Sequence, residues 1–326
     1  MCGIAFAYNK EGNEVKDIIK GIYNAQRNRG TDGFGFVEIL EDELKHHTFV
    51  TEQGMLDVLD KSKSNHILFH HRMPTSSNNN VASNHPICLN DDLYKHNYYF
   101  IHNGHIGNAD ELRKDHETRG LKYNTDDGSQ FTDSEALAHE LALIIEEVKE
   151  PKDFEAKGSI VFIMIQTDKN NNPIALYYGR NYANQALKVY QTKDLITLRS
   201  ESATGEMVDA NILHRYDYAT KEITKKAINF GVSIWMPSRV AEIKPNALTN
   251  AIIKLYEHRS ILFFDVESME DNELNMLLVI ARKVASINLM TLEENLLTSS
   301  SNGLALLRSN YESAMKSIYN IELKLR

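Results

Sequence analysis

Short strand-like runs fill the first two-thirds of the chain, and helical patterns fill the last quarter. Apolar runs typical of strands occur at residues 2–8, 35–40, 46–51, 67–71, 98–102, 159–167, 174–178, 187–191, 195–199 and 212–218. Helical spacing occurs at 15–23, after Asn108, and from a cap at Asp133 or Ser134 to Val148. The pattern predicts a β-rich body with helices before and between groups of strands.

The last quarter of the chain carries two apolar stripes at helical spacing. The first comprises Leu274, Leu277, Leu278, Ala281 and Val284, and the second comprises Leu304, Leu307, Tyr311, Met315, Ile318 and Leu325. We therefore expect a domain at 2–230 and a mainly helical extension at 231–326. The stripes predict packing against the main domain or, alternatively, a partner or oligomer interface.

Composition and charge argue against several classes of protein. The chain has 326 residues, a formal net charge of -9 and a pI near 5.8, which disfavour non-specific binding to nucleic acid or anionic membrane. Its two cysteines are too few for a disulfide framework, and its start lacks the pattern of a secretory leader. We expect a cytoplasmic protein.

Cysteine at position 2 is a candidate nucleophile. Removal of Met1 would place a thiol and a free α-amine on Cys2, and an α-amine with a pKa near 8 can accept the thiol's proton close to neutral pH. Cysteine also stands second by chance in many chains, so the remaining motifs must decide.

Two clusters in the first third could surround this terminus. Residues 27–35 read Arg-Asn-Arg-Gly-Thr-Asp-Gly-Phe-Gly, a tight turn in which Arg29 and Asp32 could fix the terminus, or a plain surface turn. The segment after the strand at 67–71 offers the Arg72 guanidinium for a carboxylate and the hydroxyls of Thr75 and Ser76. The loop continues to the Asn-His-Pro sequence at 84–86, as a flap over a ligand or as disordered surface.

Two further clusters lie at the end of a strand and at the start of a helix. In the Ile-His-Asn-Gly-His-Ile-Gly-Asn sequence at 101–108, the Asn103 side chain and the Gly104 N–H could stabilise a tetrahedral oxyanion, although a glycine-rich turn looks the same. In Phe-Thr-Asp-Ser-Glu-Ala at 131–136, Asp133 could bind an ammonium group or cap the helix.

In this order the motifs resemble those of the class II (N-terminal nucleophile) glutamine amidotransferases, over about residues 2–225. The resemblance implies a four-layer αββα sandwich. It also implies that Cys2 attacks the side-chain amide of glutamine, that Asn103 and Gly104 form the oxyanion hole, and that Arg72 and Asp133 bind the substrate's α-carboxylate and α-amine. Thr75 and Ser76 would line the closing loop, and Arg29 and Asp32 would support the terminus. Met73 departs from the large aromatic residue found in synthase-type members.

Three functions remain open from the residues. The first is a glutaminase that releases glutamate and passes ammonia to a separate synthetase chain, the second a stand-alone γ-glutamyl amide hydrolase, and the third a non-catalytic binding module with the same fold. No motif for an ammonia acceptor is visible, and we expect no cofactor. We also expect no metal, because adjacent histidines such as His70 and His71 point to opposite faces of a strand.

Overall fold

The computed structural model describes residues 2–41, 43–73, 84–128, 130–181, 186–200, 205–231, 247–256, 260–267, 269–295 and 301–325. Contacts between residues divide the chain into two compact units, Met1–Trp235 and Met236–Arg326.

Among the residues that the structure describes, the first unit contains fifteen strands and four α-helices. The strands are β1 (Gly3–Asn9), β2 (Gly33–Ile39), β3 (Leu44–Phe49), β4 (His66–Arg72), β5 (Ile87–Leu89), β6 (Asn97–His102), β7 (His105–Ile106), β8 (Gly158–Ser159), β9 (Val161–Thr167), β10 (Pro173–Arg180), β11 (Lys188–Gln191), β12 (Leu195–Arg199), β13 (Glu206–Met207), β14 (Ile212–Asp217) and β15 (Ile223–Ala227). The helices are α1 (Lys16–Gln26), α2 (Glu52–Leu59), α3 (Ala109–Thr118) and α4 (Asp133–Ile145).

The strands form two large antiparallel sheets and one small one. The first sheet has the order β13-β11-β12-β1-β4-β2-β3, the second has the order β15-β14-β10-β9-β6-β5, and β7 pairs with β8. The strand β1 lies near the middle of the first sheet, between β4 and β12.

Alternating side chains on β1 define the layers. Ile4 and Phe6 pack into the core between the two sheets, whereas Ala5 and Ala7 face the apolar side of α1. Small alanines let the helix approach the sheet, and the Gln26 side chain donates to the Ile4 carbonyl at 3.2 Å. The second sheet packs its other face against α3 and α4, so the unit is the expected αββα sandwich.

The second unit is helical, with α5 (Ala247–Tyr256), α6 (Phe263–Val266), α7 (Asp271–Asn295) and α8 (Ser301–Leu325). All five residues of the first predicted stripe are buried on α7. The second stripe is partly wrong, because Met315 is 43% exposed and the small residues Ala314 and Ser317 are buried in its place. Ser317 accepts a hydrogen bond from the Ile261 N–H at 2.8 Å, which requires close approach of the two segments.

Within α7, Glu273–Glu293 is long and apolar enough, by length and composition, to cross a membrane. Core helices of soluble proteins have the same length and composition, and 44% of this window is buried inside the protein. The outward faces of α7 and α8 expose apolar side chains, including Val279, Leu306 and Tyr319. The predicted partner or oligomer interface on these helices stays a prediction.

Several boundaries differ from the sequence-based predictions. Thr51 does not end a strand but caps α2, a helix that the pattern did not predict, by accepting from the Gly54 N–H at 3.3 Å. The cap position of α4 is Thr132 rather than Asp133 or Ser134, and the helix ends at Ile145 rather than Val148. Glu147 has a φ of 61°, which is incompatible with continuation of the helix.

Replacement of Leu68 by Ala tests the core between the sheets. Leu68 is fully buried on β4, so the cavity should lower the free energy of unfolding by about 2–5 kcal/mol. Urea denaturation followed by circular dichroism measures the change. The matched control is Leu93→Ala, at a site 58% exposed, which should change the free energy by less than about 0.5 kcal/mol. Equal effects of the two substitutions would contradict the assignment of Leu68 to the core.

Candidate active site

Strand pairing brings Cys2 and Arg72 to one edge of the first sheet. The strand β4 lies between β1 and β2, and its last residues pair Gly3 with His71 and Gly33 with Arg72. Because side chains alternate and Ile4 points between the sheets, Cys2 lies on the same side of β1 as Ile4. Leu68 also points into the core between the sheets, so the same alternation places the Arg72 side chain on the core side of β4.

The Cys2 thiol lies against the backbone of Met73. The Met73 N–H donates to Cys2 Sγ at 3.4 Å, and Sγ lies 3.5 Å from the Met73 carbonyl oxygen. Burial raises the pKa of the Cys2 thiol, while the Met73 hydrogen bond and the Arg72 charge act in the opposite direction. The thiol is therefore mainly protonated at neutral pH and needs a base to become a nucleophile.

Backbone contacts fix the start of β1. The Arg29 Nε donates to the Cys2 carbonyl at 3.0 Å, and Arg29 is buried. The Ile4 N–H donates to Ser200 Oγ at 3.0 Å, just after β12. Arg29 therefore contacts the backbone of Cys2, and its supporting role stays a prediction.

The turn that carries Arg29 approaches the end of β4 closely. A β-carbon at Gly30 would overlap the backbone carbonyl group of Arg72, so glycine is required there. His71 Nδ1 donates to the Gly30 carbonyl at 2.9 Å, and the Asp32 N–H donates to the Arg72 carbonyl at 3.1 Å. Asp32 therefore lies beside Arg72, and its backbone helps to hold the end of that strand.

Asn103 and Gly104 follow the end of β6 in the second sheet. The Asn103 N–H donates to the Val161 carbonyl at 2.8 Å, which extends the pairing of β6 with β9 by one residue. Asn103 is 1% exposed, and within the part of the chain that the structure describes its side-chain Nδ2 has no hydrogen-bond acceptor. A buried amide donor without an acceptor costs free energy unless a ligand supplies the acceptor.

The turn at Gly104 is held by a histidine. A β-carbon at Gly104 would overlap the Ser159 carbonyl oxygen, so glycine lets β8 approach. His102 Nε2 lies 3.0 Å from the same oxygen and must carry the proton, so Nδ1 accepts from Ser134 Oγ at 2.9 Å. Burial lowers the pKa of His102, which keeps the ring neutral.

Asp133 is the first residue of α4 and does not cap the helix. Its Oδ2 accepts from the Ile106 N–H at 2.6 Å and lies 3.1 Å from His105 Nδ1. Burial raises the pKa of Asp133, but the hydrogen bonds from His105 and from the Ile106 N–H, together with the charge of His105, outweigh burial and lower the pKa to about 2. The carboxylate is therefore charged at neutral pH and in mild acid.

Cys2, Arg72 and Asp133 lie within electrostatic range of one another. Burial lowers the pKa of the Arg72 guanidinium, and the charges of Cys2, Asp133 and Asp32 raise it. Asp133 interacts with Cys2 and also with His102 and His105. These two histidines flank Asn103–Gly104, so all four motifs meet at one end of the sandwich. A fixed cation and a fixed anion beside a thiol suit an α-amino acid zwitterion.

Two neutral histidines, His70 and His85, lie close to the charged Arg72. The rings of His70 and His85 stack with centroids 4.3 Å apart, and both are buried. Burial is the main cause that lowers the pKa of both rings well below the ordinary value, and the charge of Arg72 acts in the same direction. The charge pattern at this end is thus set by Arg72 and Asp133 rather than by these rings.

Other predicted site residues are outside the described part of the chain. Thr75 and Ser76, proposed to line a closing loop, fall within residues 74–83. Sequence reasoning also missed two contacts, the Met73 N–H on the thiol and His105 on Asp133. His105 occupies the variable position of the His-Asn-Gly-x-Ile motif, so the motif carried no signal for it.

One cluster among the residues the structure describes has the spacing of metal ligands: Asp115, His116 and Glu140. His116 Nε2 lies 2.9 Å from Glu140 Oε1, and Lys149 Nζ donates to both Glu140 oxygens at 2.9 and 3.1 Å. The lysine ammonium thus already occupies the position of a cation beside Glu140.

Comparison with solved structures supports the fold. The allosteric regulatory enzyme of purine biosynthesis matches with a TM-score of 0.54 and 17% identity, covering 80% of this chain and 58% of that chain. Glutamine phosphoribosylpyrophosphate amidotransferase from B. subtilis, complexed with ADP and GMP, matches with a TM-score of 0.53 and 17% identity, covering 78% of this chain and 58% of that chain. A glutamine aminotransferase class-II domain protein from Silicibacter pomeroyi has a TM-score of 0.39 and 14% identity, covering 70% of this chain and 99% of that chain.

No family model matches the sequence, and no curated protein matches it. The first two structures confirm, at the level of the fold, the resemblance to class II glutamine amidotransferases that the motifs indicate. The chain spans little more than half the length of those two proteins, at 58% of each.

Substitution of the two charged residues should move the pKa of the Cys2 thiol in opposite directions. Arg72→Gln removes a cation that stabilises the thiolate and should raise the pKa of the thiol, whereas Asp133→Asn removes an anion and should lower it. The pH dependence of alkylation by iodoacetamide, followed at Cys2 by peptide mass mapping, measures both. Burial raises the pKa of Cys88 to about 11, which leaves Cys88 slow to react.

Lys45→Gln, at the exposed outer strand β3, is the matched control and should leave the thiol unchanged. Shifts of the same sign in the Arg72 and Asp133 variants would contradict an electrostatic cause.

Proposed function

We propose that this protein is a glutamine amidotransferase of the type 2 class that hydrolyses the side-chain amide of glutamine through Cys2. One observation carries the proposal most directly: a buried Asn103 amide donor without an acceptor among the described residues stands at the same end of the sandwich as Cys2 and the Arg72–Asp133 charge pair. The fold shared with two larger enzymes is consistent with it.

Substrate binding uses the two fixed charges. Arg72 binds the α-carboxylate of glutamine, and Asp133 binds its α-ammonium group. The side-chain amide then extends toward Cys2 and the Asn103 amide. Arg29 and Asp32 hold the terminus and the end of β4.

The chemistry runs through a thioester. After removal of Met1, the Cys2 α-amine takes the thiol proton, and sulfur attacks the amide carbon. Asn103 Nδ2 and the Gly104 N–H stabilise the oxyanion. The carbon–nitrogen bond breaks as the α-ammonium returns its proton to the departing ammonia. Water, activated by the same amine, then cleaves the thioester and releases glutamate.

The ammonia is used elsewhere. A separate acceptor enzyme, docked on the outward apolar faces of α7 and α8, would receive it in the cytoplasm. A γ-glutamyl amide other than glutamine is the alternative substrate, and a screen of glutamine and such amides for glutamate release, with and without co-purified partners, distinguishes the two.

Asn103→Ala tests the oxyanion assignment. Loss of one donor should lower kcat for glutamate release by about two to three orders of magnitude with little change in KM. Asn97→Ala is the matched control, since Asn97 is a buried asparagine at the start of β6, the strand that Asn103 follows. A loss confined to KM, or an equal loss in the control, would remove Asn103 from this role.

Cys2 should be modified covalently by the diazoketone analogue of glutamine, because the attacking thiol would displace dinitrogen and stay attached. Intact mass should show loss of Met1 and addition of one inhibitor, absent in Cys2→Ala but present in Cys88→Ala. Retention of Met1 in active protein from its natural host would overturn the α-amine as base. Absence of both labelling and glutamate release would favour the γ-glutamyl hydrolase or the non-catalytic binding module.

A further inference from the structure

His105 contacts the carboxylate to which the substrate's ammonium group is assigned. Its Nδ1 lies 3.1 Å from Asp133 Oδ2, and its side chain is 41% exposed whereas that of Asp133 is 8% exposed. The imidazole is therefore far more exposed to solvent than the buried carboxylate that it contacts.

We propose that His105 is a positioning residue that confines substrate binding to the pH range in which its own ring is neutral, because the protonated ring competes with the substrate's α-ammonium for Asp133. This inference rests on the proposed function, since it takes the ligand to be an α-amino acid.

The charge balance of the pair changes with one proton. A neutral His105 still donates Nδ1–H to Asp133 and leaves the pair with a charge of minus one, which attracts an ammonium group. A protonated His105 makes the pair neutral, so an arriving ammonium becomes the second cation at one buried carboxylate. Binding of the ammonium and protonation of His105 therefore oppose each other.

The groups around His105 leave it as the one that changes charge near neutral pH. The hydrogen bond and charge of Asp133 raise the pKa of His105 against the effect of burial, while Asp133 itself stays ionised. From β6 the histidine faces His102, whose two ring nitrogens are hydrogen-bonded and whose pKa is lowered by burial. From β8 it faces Ser159, its uncharged partner in the strand pairing.

The direction of the pH effect on substrate affinity follows from this charge balance. Below the pKa of His105 the apparent Kd for an α-amino acid rises by up to about tenfold per pH unit. It levels off at the coupling factor, typically about 5- to 150-fold, and by reciprocity a bound ammonium lowers the pKa of His105 by the same coupling. Because Asp133 raises the pKa of His105, the loss of affinity begins closer to neutral pH than for an isolated histidine.

Calorimetric titration of the full-length Cys2→Ala protein, between about pH 5 and pH 8, tests the inference without turnover. Two ligands are compared: L-glutamine, and glutaramate, which is glutamine without the α-amine. We expect the Kd of L-glutamine to fall as pH rises and the Kd of glutaramate not to fall. The His105→Asn substitution, added to the Cys2→Ala protein, keeps an amide donor but has no titrating ring. It should hold the Kd of L-glutamine near its high-pH value over the whole pH range. His105→Gln serves as a second variant of the same kind.

A matched control is His96→Asn, which alters a partly exposed histidine 2.9 Å from the buried carboxylate of Glu146 elsewhere in the unit. It should leave both pH profiles unchanged. An unaltered pH dependence in the His105 variants would overturn the inference while leaving the proposed function intact, and so would equal weakening of both ligands at every pH. Failure of both ligands to bind at any pH would overturn the proposed function and this inference with it.

Discussion

The pairing of β1 with β4 is the interaction on which the candidate site depends. It sets Gly3 opposite His71, and so places Cys2 beside the end of β4 and Arg72 on the same side of the sheet. A shift of one residue would turn Cys2 toward α1 and move Ile4 and Phe6 out of the core between the sheets. The same apolar burial that stabilises the sandwich therefore specifies the position of the thiol.

Electrostatics at this end of the sandwich separates groups that keep their charge from groups that lose it. Arg72 and Asp133 are charged, whereas burial holds His70, His85 and His102 neutral. As a neutral ring, His102 still accepts from Ser134 Oγ and donates to the Ser159 carbonyl, so it holds the turn at Gly104 without adding a charge beside the thiol. This arrangement matches a ligand that carries one positive and one negative group.

Local sequence patterns predicted most of the strands because buried strands here carry dense apolar residues, as in β9. They also predicted Cys2, Arg72, Asn103, Gly104 and Asp133 as candidates, since each lies at a strand end or helix start, where backbone groups and side chains are available to a ligand. They missed α2, whose short length and internal Gly54 weaken its periodicity. They also missed the contact of His105 with Asp133, because it joins residues from separate elements that only the folded chain brings together.

The long sequence separation between β1 and β12 affects how the sandwich can assemble. Ala5 pairs with Phe69 on one side and with Arg199 on the other, so its two neighbours lie far apart in the chain. Contacts of such high sequence separation slow folding, because the intervening loop must close before the pairing is gained. During synthesis β1 would lack its second neighbour until β12 had left the ribosome. The thiol would then reach its final environment late, when nearly the whole first unit had been made.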